Sequence, residues 1–225
     1  MEIKNVKMEK QTRIAEPIRT AKDRKAFSRC LKRKSLRNYT LFEFGIRVGR
    51  RVSDLINLDI KDVARIDRKG RIIIKNRLQI LEKKTQKFAN ILINDKAQRV
   101  LKRYILSRFD TNISPENFLE EPLFLSRQTS RNGERRLSRT QVFRILQQAA
   151  RDCDFDYKVA THTLRKTFGY ALHEDGVDIT LIQKAFNHTS PEITLAYIGI
   201  TQNDMDRALR RLYRRDFTKN FKPLQ

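Results

Sequence analysis

His162-Thr163-Leu164-Arg165, followed by His188 and then Tyr197, puts two imidazoles, a guanidinium and a phenol into one short stretch of a very basic chain. No packing rule asks for that set. Cleavage of a phosphodiester does, because it needs fixed positive charge on the phosphate, groups that give and take protons, and a nucleophile. On a helix, His162 and Arg165 stand three apart and share one face. His188 falls in the turn after a helical segment that ends at Asn187, and Tyr197 follows at the end of a short helix, roughly 9 Å long at 1.5 Å per residue.

The elements that must position these groups are mainly helical. Residues 1–20 mix charges without periodicity and read as a basic flexible arm. A helix is expected from Ala21, and a second from Leu36 to Val48, broken by Gly49. Val52, Leu55, Ile56 and Leu58 outline a further short helical face, opened by Arg50 and Arg51. Three apolar runs (Arg71–Ile74, Leu78–Leu81 and Phe88–Ile93) predict a small three-stranded antiparallel sheet, with Lys83-Lys84-Thr85-Gln86-Lys87 as a basic connection. Helical patterns return at Lys96–Arg108 and Arg139–Ala150, with a polar, exposed loop from Ser126 to Ser138 between them. Thr161 is the expected cap of the His162 helix, and Gly176 its end. Asp178 caps Ile179–Phe186, and Ser190-Pro191 opens the helix leading to Tyr197. The fold class is therefore α+β, mainly helical.

The totals agree with a nucleic-acid partner. Among 225 residues, 49 Lys and Arg against 26 Asp and Glu give a net charge of +23. Charge of that size favours a polyanion, and no amphipathic anchor or lipidation signal turns it toward a membrane. The apolar runs are too short to span a bilayer. Cys30 and Cys153 form no ligand-spaced cluster, so no zinc site is expected, and two thiols suit a reducing cytoplasm.

In order along the chain, Arg51-Val52-Ser53-Asp54-Leu55, Lys84-Thr85, His162-Thr163-Leu164-Arg165 and His188…Thr194-Leu195-Ala196-Tyr197 resemble the motifs of the tyrosine recombinases, the phage integrase family. The nine-residue step from His188 to Tyr197 and the lysine in a β-hairpin fit as well. The resemblance covers residues 36–200. It implies a catalytic domain over 21–200, a basic tail over 201–225 exchanged between subunits, and double-stranded DNA as partner, bound by a homotetramer on paired sites. It implies that Arg51 and Arg165 clamp the scissile phosphate, Tyr197 attacks it, and Lys84 protonates the leaving oxygen, with Lys83 and Lys87 as rivals. His162 would help take the phenolic proton and His188 would bond the phosphate. No cofactor or metal is called for, and the expected location is the cytoplasm, on the nucleoid.

Two departures stand out. Asn187 replaces a common Gly, and Arg50 replaces a residue that is usually apolar, crowding Arg51 with a second charge. The region before the motifs is also too short for the helical DNA-binding domain of many relatives, which suggests a member built on the catalytic domain alone. Two other functions remain open: relaxation of DNA in the manner of type IB topoisomerases, and a non-catalytic DNA-binding regulator descended from a recombinase. The apolar stripe Met205, Ala208, Leu209 and Leu212 favours the recombinase over the topoisomerase, since it suits docking on a neighbouring subunit. The complete residue set argues against the regulator. Among the other tyrosines, only Tyr213 rivals Tyr197.

Overall fold

The computed structural model describes residues 14–82, 86–109, 112–126, 128–129, 135–200, 204–207 and 209–210. The chain divides into two compact units, with the boundary between Ala171 and Leu172.

In the first unit, helix α1 (Ala21–Lys34) starts where the Thr20 side chain accepts from the Asp23 amide, and it ends in Lys32, Arg33 and Lys34. Cations there suit the negative end of the helix dipole. Its Phe27, Cys30 and Leu31 recur at helical spacing and are buried. They meet α2 (Leu36–Val48), with the Phe27 and Phe42 rings 4.9 Å apart. Helix α2 carries the apolar residues Leu41, Phe42, Phe44 and Val48 into the core, packing against α5 (Asp95–Leu106) as well as α1. Short helices α3 (Val52–Ile56) and α4 (Ile60–Val63) follow, the latter with an Asp59–Asp62 capping box. Helices α6 (Pro115–Leu119) and α7 (Arg139–Asp152) and the first part of α8 (Thr163–Glu174) complete the unit.

The expected three-stranded sheet is instead two hairpins. Strand β1 (Ala64–Ile66) pairs antiparallel with β2 (Ile72–Ile74), and β3 (Arg77–Leu81) pairs with β4 (Phe88–Leu92). Between β2 and β3 only Lys75 and Asn76 intervene, without the glycine that the two-residue hairpin turns favour. The chain therefore runs on from β2 into β3, and β2 turns to the strand before it. Lys75 extends the first ladder by donating to the Val63 carbonyl, and Asn76 the second by accepting from the Ile93 amide. One face of the β3–β4 hairpin is anchored by fully buried Leu78. The other exposes Leu81, Phe88 and Leu92, with Leu81 opposite Phe88.

Two further expectations change. The chain is already packed before Thr20: Ile18 is fully buried, its amide donates to Thr167 Oγ1 at 2.9 Å, and Glu16 N donates to the Lys158 carbonyl. Residues 14–20 of the expected arm therefore belong to the packed unit, held by buried Pro17 and Ile18 and by these backbone bonds, and residues 1–13 lie outside the described residues. The polar Ser126–Ser138 segment is likewise tied in at both ends. Ser126 and Leu137 are buried, and Arg136 ion-pairs with Asp59 at 2.5 Å.

The second unit holds the end of α8, then α9 (Ile179–Phe186) and α10 (Pro191–Ile198), with the expected caps Asp178 and Ser190. Residues 204–207 and 209–210 are helical, and Met205 and Leu209 are exposed. Ala208 and Leu212 of the predicted stripe lie outside the described residues. No described helix is long and apolar enough to cross a membrane.

Gly49 is the joint on which the first unit turns. It caps α2 with φ 63° and ψ 21°, and a Cβ there would lie 2.3 Å from the Phe168 ring. Gly70 has a similar φ of 73° but open space around it. Gly70→Ala should therefore lose only the left-handed strain, about 1–2 kcal/mol. Gly49→Ala adds overpacking and should lose about 2–4 kcal/mol in urea unfolding. Equal losses would show that the Phe168 contact relaxes freely.

Candidate active site

The turn at Gly49 delivers Arg50 and Arg51 in sequence. Arg51 is the N-cap of α3, its carbonyl accepting from the Asp54 and Leu55 amides. Arg165 lies in the first turn of α8, only 2 % exposed, and its Nη1 donates to the Gly49 carbonyl at 2.9 Å. The two arginines, 114 positions apart in sequence, thus meet through one turn. With Val52, Ser53, Arg139, Thr161 and His162 they line a cleft of about 240 Å³. Helix α8 begins at Thr163, later than its expected Thr161 cap. A turn over Ala160–Thr163 precedes it, with the Thr163 hydroxyl accepting from the Ala160 amide at 2.9 Å. His162 consequently stands just before the helix, at the exposed rim of the cleft, and its carbonyl accepts from Lys166 N.

Gathering cations this closely requires a counter-charge, which Glu82 supplies. Its carboxylate has no solvent exposure; Oε1 accepts from Arg50 Nη1 at 2.6 Å and Oε2 from Arg51 Nη1 at 2.8 Å. Arg165 Nη1 lies 3.9 Å from Oε1. Arg50 is itself buried, with Nε on the Val48 carbonyl. Burial pulls the Arg50 guanidinium below its ordinary pKa, and Glu82 is the strongest influence holding it up. The charge at position 50 is therefore turned inward onto Glu82, away from the cleft.

His162 is held below the ordinary imidazole range, chiefly by partial desolvation where the exposed ring meets the cleft and then by the charges of Arg139, Lys166, Arg165 and Arg51. A neutral imidazole beside guanidiniums that keep their charge can accept a proton while they bind an anion.

His188 and Tyr197 come together in the second unit. Asn187 takes the left-handed conformation (φ 53°, ψ 39°) that its place at the α9 C-cap demands, so its replacement of Gly is accommodated. His188 Nδ1 lies 3.1 Å from Thr194 Oγ1, and Gln183 Nε2 donates to the His188 carbonyl at 3.1 Å. The His188 and Tyr197 rings are 5.0 Å apart at 76°, and Phe186 touches both, at 5.2 Å and 5.5 Å. Packing on Phe186 fixes the phenol ring relative to the imidazole.

Lys83, Lys84, Thr85 and Tyr213 lie outside the described residues. Of the other tyrosines, Tyr104 and Tyr170 are buried and Tyr39 packs against the core. Tyr157 stacks on Phe155, and burial followed by the charges of Asp23, Asp156 and Glu16 drives its phenol well above the usual value, which suits a structural ring. Sequence reasoning missed two residues of the site. Glu82 was not singled out, and Arg139 figured only as the first residue of a helical pattern.

The depressed basicity of His162 can be measured directly. Its ring should titrate below about 6.5 by NMR, and Arg139→Gln should raise the midpoint without restoring the full value, because burial is the larger cause. The folded state resists protonation, so as pH falls the unfolded chain binds the proton first. Stability from the neutral ring is then complete above about 6.5 and is lost as pH falls below it. A midpoint unchanged by Arg139→Gln would remove that cation from the account.

Known proteins resemble this chain across nearly its whole length. The model of the phage integrase family matches residues 5–204. The chain is 37% identical to the probable integrase/recombinase YoeC of Bacillus subtilis over 190 residues, covering 84% of this chain and 92% of that protein. It is 30% identical to the tyrosine recombinase XerC of Thermodesulfovibrio yellowstonii over 73% of this chain, and spans half of that relative's length. Among solved structures, XerA recombinase superposes with a TM-score of 0.62 over 94% of this chain and 68% of the other, at 23% identity. XerH site-specific recombinase, in a post-cleavage complex with its difH substrate, gives 0.61 at 18% identity over 88% of this chain and 53% of the other, a likeness of fold. With a family model that matches residues 5–204 and a relative 37% identical over most of both chains, the chain belongs to the tyrosine recombinase, or phage integrase, family.

Proposed function

We propose that this chain is a site-specific recombinase that cuts and rejoins duplex DNA through a 3′-phosphotyrosine intermediate. The convergence of Arg51 and Arg165 with His162 on one cleft carries the reading. The two guanidiniums hold the non-bridging oxygens of the scissile phosphate, for which a planar fork of donors that keeps its charge is well suited. The Tyr197 oxygen attacks phosphorus, forming a P–O bond to the phenol as the bond to the 5′ oxygen breaks. His162 takes up the phenolic proton, Lys84 gives one to the departing 5′-OH, and His188 bonds the phosphate. Attack by a 5′-OH of the partner strand reverses these steps. The phosphodiester energy is stored in the protein–DNA bond, so no nucleotide triphosphate is consumed.

A pool of nicked duplexes with a randomised segment tests the chemistry without knowledge of the target site. The native chain should become covalently attached to some members. Tyr197→Phe keeps the ring and removes one oxygen, so DNA binding should persist and the adduct should vanish. Arg165→Ala should lose the adduct too, at a barrier increase on the order of 3 kcal/mol or more. Tyr213→Phe should retain it. Binding without any adduct from the native chain would favour the regulator, and an adduct that depends on Tyr213 would overturn the nucleophile.

Assembly follows the same reading: a homotetramer on paired sites, with the tail after Ile200 exchanged between subunits. The exposure of Met205 and Leu209 supports it. Deleting Asp204–Gln225 should spare DNA binding and weaken recombination, and normal recombination by the shortened chain would exclude the exchange.

A further inference from the structure

Arg50 and Glu82 form a pair that the motifs do not include. The charge at position 50 is buried with its countercharge rather than turned to the cleft. The same carboxylate reaches Arg51 with its second oxygen. Arg51 is 19 % exposed, enough to meet a ligand, and Glu82 engages one terminal nitrogen of its guanidinium. Glu82 is itself fixed from the backbone. Its amide donates to the Lys87 carbonyl at 3.0 Å and its carbonyl accepts from Gln86 N at 2.9 Å, tying the end of β3 to the residues just before β4. The side chain that grips Arg51 is thus rooted in the hairpin, while Arg50 braces it against the end of α2.

We propose that Glu82 is a positioning residue for the phosphate clamp, holding the Arg51 guanidinium in the orientation that meets a scissile phosphate, with Arg50 as its buried brace. A long arginine side chain loses much rotamer freedom when it is fixed in one geometry. Glu82 fixes it before DNA arrives, so the binding step does not have to. The inference rests on the reading of Arg51 and Arg165 as that clamp.

The test compares two leaving duplexes of one sequence, taken from the pool members that trap best. One carries the ordinary scissile phosphate and the other a methylphosphonate, in which a methyl replaces one non-bridging oxygen and removes the negative charge. A clamp matters for the first and little for the second. Glu82→Gln should bind duplex DNA as the native chain does, yet form adduct about 100-fold more slowly on the phosphate, the scale of a misplaced catalytic group. On the methylphosphonate its deficit should shrink to about threefold or less, as expected when the lost contribution is stabilisation of phosphate charge.

Glu82→Gln leaves Arg50 buried without its countercharge, so a second variant guards against simple unfolding. Arg50→Leu with Glu82→Gln removes both charges of the buried pair and puts an apolar side chain at a buried position. It should melt cooperatively and still show the loss confined to the phosphate, because Arg51 has lost its anchor. Full activity in that double variant would mean that Glu82 only neutralises Arg50, and would overturn the proposal. So would an equal loss on both duplexes, or none. Arg165→Ala in the same assay separates the two layers. If it too loses equally on both duplexes, the clamp reading fails. If it is selective for the phosphate and the Glu82 variants are not, only the role given to Glu82 falls.

Discussion

Like charges must be brought together in this protein and kept together before any ligand arrives. Three guanidiniums from Arg50, Arg51 and Arg165 lie around one carboxylate that water does not reach. In a medium less polar than water, their mutual repulsion would open the site if no anion stood among them. Glu82 is that anion, and the main chain helps, since Gly49 turns its carbonyl to Arg165 and Val48 turns its carbonyl to Arg50. Removing a group from such a cluster does more harm than its own contact suggests, because what remains is an unpaired buried charge.

The local architecture follows from that need. Helix α2 has to stop at Gly49, because a left-handed residue both frees the carbonyl for Arg165 and aims the next two residues at Glu82. Helix α8 has to start beside this turn, and it is tied back by Thr167, which accepts from the amide of fully buried Ile18. The β3–β4 hairpin has to be anchored by Leu78, since its end supplies the carboxylate. Four segments distant in the sequence are thereby tied to one small region of charge.

Much of this was legible in the sequence, and the reason is spacing. His162 with Arg165, and His188 with Tyr197, lie only three and nine positions apart, in turns that lead into short helices, so local rules largely determine what can meet. The caps at Asp178 and Ser190 and the left-handed Asn187 were likewise decided by neighbours only. What escaped depended on distant partners. Glu82 is buried by Arg50 and Arg51, 32 and 31 positions away, and nothing in Leu81-Glu82-Lys83 announces that. The two-hairpin arrangement turned on Ala64–Ile66, too short and too polar to read as a strand until Ile72–Ile74 is set beside it. Ile18 looked like part of a charged arm because two adjacent buried residues, Pro17 and Ile18, make no periodic pattern.

The outer face of the β3–β4 hairpin has a practical consequence for anyone handling the protein. Leu81, Phe88 and Leu92 are at least 59 % exposed on a chain that carries +23 charges. At low ionic strength, repulsion between molecules keeps such faces apart. Stripping nucleic acid from so basic a protein takes concentrated salt, which shortens the reach of that repulsion to about 3 Å near 1 M. Sulfate or phosphate would at the same time strengthen apolar attraction. The colloidal behaviour of the purified chain therefore depends on the buffer: chloride suits a chain of this charge better than the salting-out anions, which would favour contact between exposed apolar faces.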